Sequence, residues 1–101
     1  MIRYTFIFGP EDRLEFQLED LELHEGSEVL GKTLQESALR KETGATILSI
    51  KKADGQLITN PPVSKVLEKG DRLILVGTAE QLELVHRKIL PPEGDVRKDA
   101  R

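Results

Sequence analysis

Apolar residues alternate with other residues along two short stretches that enclose a turn sequence near the amino-terminal end of the chain. The turn is Gly9-Pro10-Glu11-Asp12, and the alternating positions are Ile2, Tyr4, Phe6 and Phe8 before it and Leu14, Phe16 and Leu18 after it. A period of two places alternate side chains on one face of a strand, and glycine and proline favour the turn between two strands. The sequence therefore predicts a β-hairpin over residues 1–18.

The alternation changes phase after Leu18. Glu19 and Asp20 interrupt the pattern before Leu21 and Leu23 resume it. Since a shift of one residue sends the later side chains to the opposite face of a strand, we interpret the change as a bulge or as a junction. The junction would separate an accessory hairpin, residues 1–18, from a main domain, residues 19–90.

Two sequences match the capping box, in which a threonine and the Glu or Gln three residues later satisfy free amides at the start of a helix. They are Thr33-Leu34-Gln35-Glu36 and Thr78-Ala79-Glu80-Gln81. The first predicts a helix that ends near Lys41, with Gly44 just past its end. The second predicts a helix that Pro91-Pro92 stops.

Three further strands are predicted at 46–50, 56–58 and 72–76. The last contains an unbroken apolar run, which is typical of a central strand covered on both faces. The order of elements predicts an α+β fold with a small mixed or antiparallel sheet, two helices and an N-terminal β-hairpin. Residues 91–101 are polar and are predicted to form a disordered tail. The expected core contains Leu34, Ala38, Ile47, Leu73, Leu75, Leu82, Val85 and Ile89.

Composition narrows the range of partners. The 15 basic and 18 acidic residues are spread along a chain of 101 residues and give a formal net charge of -3, so no basic footprint for nucleic acid is present. The longest apolar runs are far shorter than the roughly 20 residues needed to cross a bilayer. The absence of cysteine suits a reducing cytosol. We therefore expect one cytoplasmic domain with no nucleic-acid partner and no direct insertion into the membrane.

The segment from Gly26 to Thr33 matches the pattern G-x4-G-K-T of a phosphate-binding loop. Such a loop holds phosphates with successive backbone amides, so it must be electropositive and free of bulk. Here Glu25 and Glu28 flank it, and Val29 and Leu30 look like residues that insert into a core. One hypothesis is therefore that the segment is the phosphate-binding loop of a nucleotide hydrolase. The other is that it is a structural turn before a capped helix.

No other set of residues supports catalysis or metal binding. His24 and His86 lack the spaced histidine or cysteine partners of a zinc site. The serines have no nucleophile-elbow context, and the acidic residues lie on predicted turns and strand faces where charge normally meets water. The sequence predicts that the protein is not an enzyme.

An ordered set of short motifs resembles the signature of the RCK_C (TrkA-C) domain family. The motifs in this set are the turn Gly31-Lys32-Thr33-Leu34 with the preceding Ser27, the helix end Leu39-Arg40, the strand 44–50 that begins with glycine and is rich in aliphatic residues, Pro61, and the strand Gly70-Asp71-x-Leu73-x-Leu75-Val76-Gly77. The resemblance covers about residues 19–90. In this family the same G-K-T turn is structural.

The resemblance implies a dimeric, ligand-sensing regulatory domain of potassium channels and other cation transporters. It implies a homodimer, a membrane cation transporter or channel as partner, and a position at the inner face of the membrane. No cofactor is expected, because the chain has no G-x-G-x-x-G segment. Several family members bind cyclic di-AMP between two subunits, and the positions that match their site are Arg40, Thr46, Ile47, Ile50, Asn60 and Pro61.

A second interpretation of these six positions is purely structural. Arg40 would then be a helix-end cation favoured by the helix dipole, and the isoleucines and Pro61 would belong to core and turn. In that case the chain would act as a dimerisation or scaffold subunit without a small-molecule ligand.

Overall fold

The structure is a computed structural model that describes residues 15–90 in full and the backbone of residues 2–8 and 14. The predicted turn at 9–12 and the predicted tail at 91–101 lie outside these residues. The elements, in chain order, are β1 (Ile2–Phe8), β2 (Leu14–Glu22), α1 (Leu34–Ser37), α2 (Leu39–Thr43), β3 (Thr46–Lys51), β4 (Leu57–Thr59), β5 (Arg72–Gly77) and α3 (Ala79–Ile89).

The strands form one five-stranded sheet in the order β1-β2-β5-β3-β4. All four neighbouring pairs are antiparallel. The predicted α+β class with an N-terminal hairpin is confirmed, and β5 occupies the predicted central position. The last of the described strands, β5, therefore joins the hairpin β1–β2 to the hairpin β3–β4.

The two faces of β5 are not equally covered. Leu73 and Leu75 are fully buried, whereas Ile74 and Val76 are half-buried. The prediction that both faces of this strand are covered was therefore wrong for the second face. Helix α3 packs against β5 and β2 on the buried face, and it also contacts α2.

The core lies between the sheet and the helices. Five of its predicted members are buried, while Leu34 and Ile47 pack against it only partly buried and Ala38 is half-buried at its edge. Within residues 15–90 the buried apolar residues are Leu21, Leu23, Val29, Leu39, Ala45, Ile50, Leu67, Leu73, Leu75, Leu82, Val85 and Ile89.

The phase change in β2 has a different cause from the predicted bulge. β2 pairs with β1 from Leu14 to Asp20 and with β5 from Gln17 to Glu22 without a register shift, so the strand contains no bulge there. Instead its apolar residues change face, because Leu21 and Leu23 lie on the helix side and Leu18 lies on the other side. Glu19 also lies on the helix side, where it is buried beside His86. The strand thus runs without interruption through residues 18 and 19.

Both capping boxes form as predicted. The Thr33 hydroxyl accepts a hydrogen bond from the Glu36 N–H at 3.0 Å, and the Glu36 carboxylate accepts one from the Thr33 N–H at 2.9 Å. Thr78 and Gln81 make the corresponding pair of bonds at 3.2 and 2.9 Å. These bonds satisfy amides that have no partner within their helix.

The buried Asp71 connects the start of β5 to the end of β3. Its carboxylate accepts hydrogen bonds from the Glu68 N–H at 2.9 Å and from the Lys52 ammonium at 2.8 Å. Burial by itself would lower the pKa of Lys52, but its hydrogen bonds to Asp71 and Glu68, together with the negative charges of these two residues, raise the pKa overall. The aspartate of the Gly70-Asp71 turn therefore has a structural function.

The central position of β5 predicts a large stability loss on truncating its buried leucine. Leu75 is 0% exposed, so Leu75→Ala should lower the free energy of unfolding by about 2–5 kcal/mol, through lost apolar burial and a new cavity. Leu57→Ala is the matched control, because Leu57 is 60% exposed and should change stability by less than about 0.5 kcal/mol. Urea denaturation measures both. A loss below about 1 kcal/mol for Leu75→Ala would contradict the core assignment.

Candidate ligand-binding groove

Most backbone amides of the turn that matches the phosphate-loop pattern are already bonded within the protein and are not free to hold phosphates. The Gly31 N–H donates to the Leu67 carbonyl at 2.8 Å, the Lys32 N–H to the Val29 carbonyl at 3.1 Å, and the Leu34 N–H to the Lys65 carbonyl at 2.9 Å. The side chain of Val29 is fully buried in the core. This segment is a structural turn that anchors the start of α1.

A groove of about 530 Å³ opens beside this turn, between the helices α1 and α2, the first residues of β3 and the loop after β4. Its walls combine apolar residues with two cations and two neutral polar side chains. They are Leu34, Gln35, Ala38, Leu39, Arg40, Lys41, Thr46, Ile47, Pro61 and Val63. The groove thus brings together four of the six residues that the sequence singled out, namely Arg40, Thr46, Ile47 and Pro61.

The other two residues lie elsewhere. Ile50 is 0% exposed and belongs to the core, so it has no surface to offer a ligand. Asn60 is exposed next to the groove without lining it. Its φ of 50° lies in the left-handed region, which asparagine tolerates, and its N–H donates to the Leu48 carbonyl at 2.9 Å. The structure therefore gives these two residues a packing and a turn function.

A break in the predicted first helix positions Arg40. The helix ends at Ser37 and restarts at Leu39, because Ala38 between them has a φ of 56°. The Ser37 hydroxyl donates to the Leu34 carbonyl at 2.7 Å and accepts from the Leu39 N–H at 3.3 Å. Leu39 inserts into the core, so the next residue, Arg40, stands at the surface at a fixed point of the groove wall.

The second turn of this helical region is also fixed from within. The hydroxyl of the buried Thr43 donates to the Leu39 carbonyl at 2.6 Å and accepts from the Ala45 N–H at 3.1 Å. These bonds hold the end of α2 against the start of β3, where Thr46 and Ile47 line the groove. The α2 wall and the β3 wall of the groove are therefore connected by hydrogen bonds of a buried side chain.

The groove has an excess of positive charge. Arg40 and Lys41 line it, and no ion pair engages either of them within the described part of the chain. The neighbouring carboxylate of Glu42 is paired with Lys88 of α3 at 2.7 Å, and this hydrogen bond lowers the pKa of Glu42. The nearest acid on α2 is thus already paired, and the two cations remain available to an anion.

Sequence reasoning missed Gln35, Lys41 and Val63 as groove residues. Gln35 and Val63 are adjacent because the Gln35 N–H donates to the Val63 carbonyl at 3.0 Å, and an isolated bridge joins Thr33 to Val66. This pairing joins residues about 30 positions apart, and no local pattern predicts it. Lys41 follows Arg40 directly, so the charge of the Arg-Lys pair was the one signal that could have indicated it.

Neither histidine lies in a cluster of candidate metal ligands among the described residues. His24 is exposed, and His86 packs beside Glu19. Within residues 15–90 no group of three or more histidine or acidic side chains is arranged to hold a metal ion.

Among the described residues no helix is long and apolar enough to span a membrane.

The fold and the groove together define an α+β domain with a small cationic groove at its surface. The sequence profile of the TrkA-C domain family matches residues 18–90, so the chain belongs to the TrkA-C (RCK_C) family. Potassium channel protein 1 of Methanocaldococcus jannaschii is 41% identical over 75 residues. That match covers 70% of the chain and 22% of the channel protein, so the chain spans about a fifth of the relative's length.

Solved structures of RCK_C domains share the fold. The RCK_C domain dimer of S. agalactiae BusR, in complex with c-di-AMP, matches with a TM-score of 0.65 and 31% identity, over 70% of this chain and 86% of that one. BusR in complex with its promoter DNA is matched over 34% of its chain. The RCK C domain of the potassium transport protein KtrA, also in complex with c-di-AMP, matches with a TM-score of 0.64 and 26% identity, over 71% and 81% of the two chains.

The left-handed conformation of Ala38 predicts a stabilising substitution. An L-residue in this region costs about 1–2 kcal/mol, and the extra freedom of glycine in the unfolded chain costs about 0.4–1 kcal/mol. Ala38→Gly should therefore raise the free energy of unfolding by about 0.5–1 kcal/mol in urea denaturation.

The control for this substitution is Ala79→Gly, in the first turn of α3, where φ is not positive. There glycine should lower stability, by up to about 1 kcal/mol. Equal losses for the two variants would contradict the helix break at Ala38.

Proposed function

We propose that the chain is a non-enzymatic sensory domain that binds cyclic di-AMP in the groove and thereby regulates a potassium transporter or channel, or one for another cation. The observation that carries the proposal is the convergence of Arg40, Thr46, Ile47 and Pro61 on one groove whose cations are unpaired. Its volume, about 530 Å³, lies within the range of about 300–1,000 Å³ usual for small-molecule sites.

The groove chemistry suits an anionic purine nucleotide. The Arg40 guanidinium is a planar fork that can donate two parallel hydrogen bonds to a phosphate. Ile47, Pro61 and the exposed Val63 offer an apolar surface to a purine ring, and the Thr46 hydroxyl can donate to a phosphate oxygen or accept from a sugar hydroxyl. These groups supply charge neutralisation and apolar contact without any catalytic set.

The proposed ligand favours a dimer of the chain. Cyclic di-AMP has two phosphates and two adenines related by a two-fold axis, and a homodimer presents every residue twice about such an axis. Two copies of Arg40 would then face the two phosphates, with a Pro61 loop beside each base. The BusR domain, which matches this chain, is a dimer in complex with the same compound.

The proposed partner is a membrane cation transporter or channel, with the domain at the cytoplasmic face of the membrane. Support comes from the potassium channel and the potassium transport protein that the chain resembles. Nucleic acid is not proposed as a partner, because the net charge of the chain is -3 and BusR, solved with DNA, is matched over only a third of its length.

A ligand-free scaffold subunit is the second candidate function. It is favoured by the half-exposed face of the sheet, where Leu18, Ile74 and Val76 lie side by side on β2 and β5. A partner could cover this face without using the groove. Ligand titration separates the two functions, since the scaffold requires an empty groove.

Removal of Arg40 should weaken ligand binding strongly. A charge-assisted pair is worth about 1.5–3 kcal/mol, and a symmetric dimer loses two of them, so Arg40→Ala should weaken cyclic di-AMP binding at least about a hundredfold in calorimetry. Arg87→Ala is the matched control, because Arg87 is an exposed arginine on α3 outside the groove, and it should leave binding unchanged. Saturating cyclic di-AMP should also raise the melting temperature of the unaltered chain. No shift at millimolar cyclic di-AMP would favour the scaffold.

The dimer is tested separately from the ligand. Light scattering at micromolar concentration should give twice the chain mass of 11.3 kDa. Arg40→Ala should preserve that mass, because an exposed cation at the groove wall contributes little to an apolar interface. A mass of one chain, with and without cyclic di-AMP, would exclude both the proposed dimer and a site shared between subunits.

A further inference from the structure

Gln35 is the one carboxamide among the residues that line the groove. Its backbone is fixed, because its N–H donates to the Val63 carbonyl at 3.0 Å and its carbonyl accepts from the Ala38 N–H at 3.1 Å. Its side chain is exposed and has no hydrogen-bond partner in the part of the chain that the structure describes. The side-chain amide of Gln35 is therefore free to bind a ligand, and it lies on a rigid wall of the groove next to the apolar surface of Pro61 and Val63.

The other groove residues do not distinguish one purine from another. Arg40 and Lys41 neutralise phosphates, which every cyclic dinucleotide carries. Ile47, Pro61 and Val63 offer apolar contact, which any base accepts. The Thr46 hydroxyl both donates and accepts, so it can pair with either kind of group on a base edge.

A glutamine amide can make that distinction. On the edge that carries N7, adenine presents a ring-nitrogen acceptor beside an amino donor, and glutamine pairs with both through its NH₂ and its carbonyl oxygen. Guanine presents two acceptors on the same edge, so the glutamine oxygen would face an oxygen there. One amide that faces the N7 edge of a bound purine thus favours adenine and disfavours guanine.

We infer that Gln35 is the specificity-determining residue of the groove and selects adenine over guanine in a bound cyclic dinucleotide. The inference rests on the proposed function, since it assigns the base preference of that same site. In the proposed arrangement a base packs on the Pro61–Val63 loop, to which the Gln35 backbone is bonded, with its N7 edge toward the Gln35 amide.

The test compares the affinities of each variant for cyclic di-AMP and cyclic di-GMP, measured by calorimetry, and uses their ratio. The unaltered chain should prefer cyclic di-AMP by about tenfold or more, and Gln35→Leu should reduce this preference by at least about tenfold. The matched control is Gln56→Leu, since Gln56 is an exposed glutamine in the turn between β3 and β4, and it should keep the preference. A structural effect of Gln35→Leu would weaken both ligands alike and leave the ratio unchanged.

Gln35→Arg tests the same inference in the opposite direction. Arginine pairs with the two acceptors of guanine, so this variant should shift the ratio toward cyclic di-GMP relative to Gln35→Leu. Melting temperatures close to that of the unaltered chain verify that the exposed substitutions preserve the fold.

The outcomes separate the inference from the proposed function. If the unaltered chain binds cyclic di-AMP and Gln35→Leu keeps its full preference, or if no preference exists, the inference is overturned while the proposed function stands. If neither dinucleotide binds, the proposed function fails and the inference fails with it.

Discussion

The pairing of β5 with both β2 and β3 is the interaction on which the rest of the structure depends. Leu73 lies opposite Leu21 on one side and Ile50 on the other, and Leu75 lies between Glu19 and Ile47. The two hairpins have no strand pairing with each other except through β5. β5 is the last of the described strands in the sequence, so the sheet is complete only when residues up to 77 are present. The pairing of β5 with β2 is therefore a non-local contact.

The groove depends on this strand although no residue of β5 lines it. Helix α3 begins directly after β5 at the Thr78 capping box, and its residue Lys88 pairs with Glu42 of α2 at 2.7 Å. β3, the other wall, pairs with β5 along most of its length. Arg40 on α2 is therefore connected to β5 through α3, and Thr46 on β3 is connected to β5 through strand pairing. These two sets of contacts hold the two groove residues in place. A site placed on rigid elements loses little entropy when a ligand binds.

The elements were predictable from sequence where the signal is local. The capping boxes at Thr33 and Thr78, the alternation in the hairpin and the apolar run in β5 all indicate their structures within a few residues. The break at Ala38 was not predictable, because alanine favours helices and carries no signal for a left-handed residue. All six candidate positions came from the resemblance to a family, and four of them line the groove. Gln35 and Val63 depend instead on a loop-to-helix pairing that no local pattern encodes.

One irregularity in β3 places Ile47 and Ile50 on the same face of the sheet. Residues three positions apart in a regular strand lie on opposite faces. The pairing of β3 with β5 shifts register between Ile47 and Ser49, so Ile47 lies opposite Leu75 and Ile50 opposite Leu73, on the same face. Ile50, in the middle of the sheet, is then covered by the core. Ile47, at the strand end, is left partly open to the groove. The bulge at Leu48 thus places both isoleucines on the helix side of the sheet, and position along the strand leaves only Ile47 of the two open to a ligand.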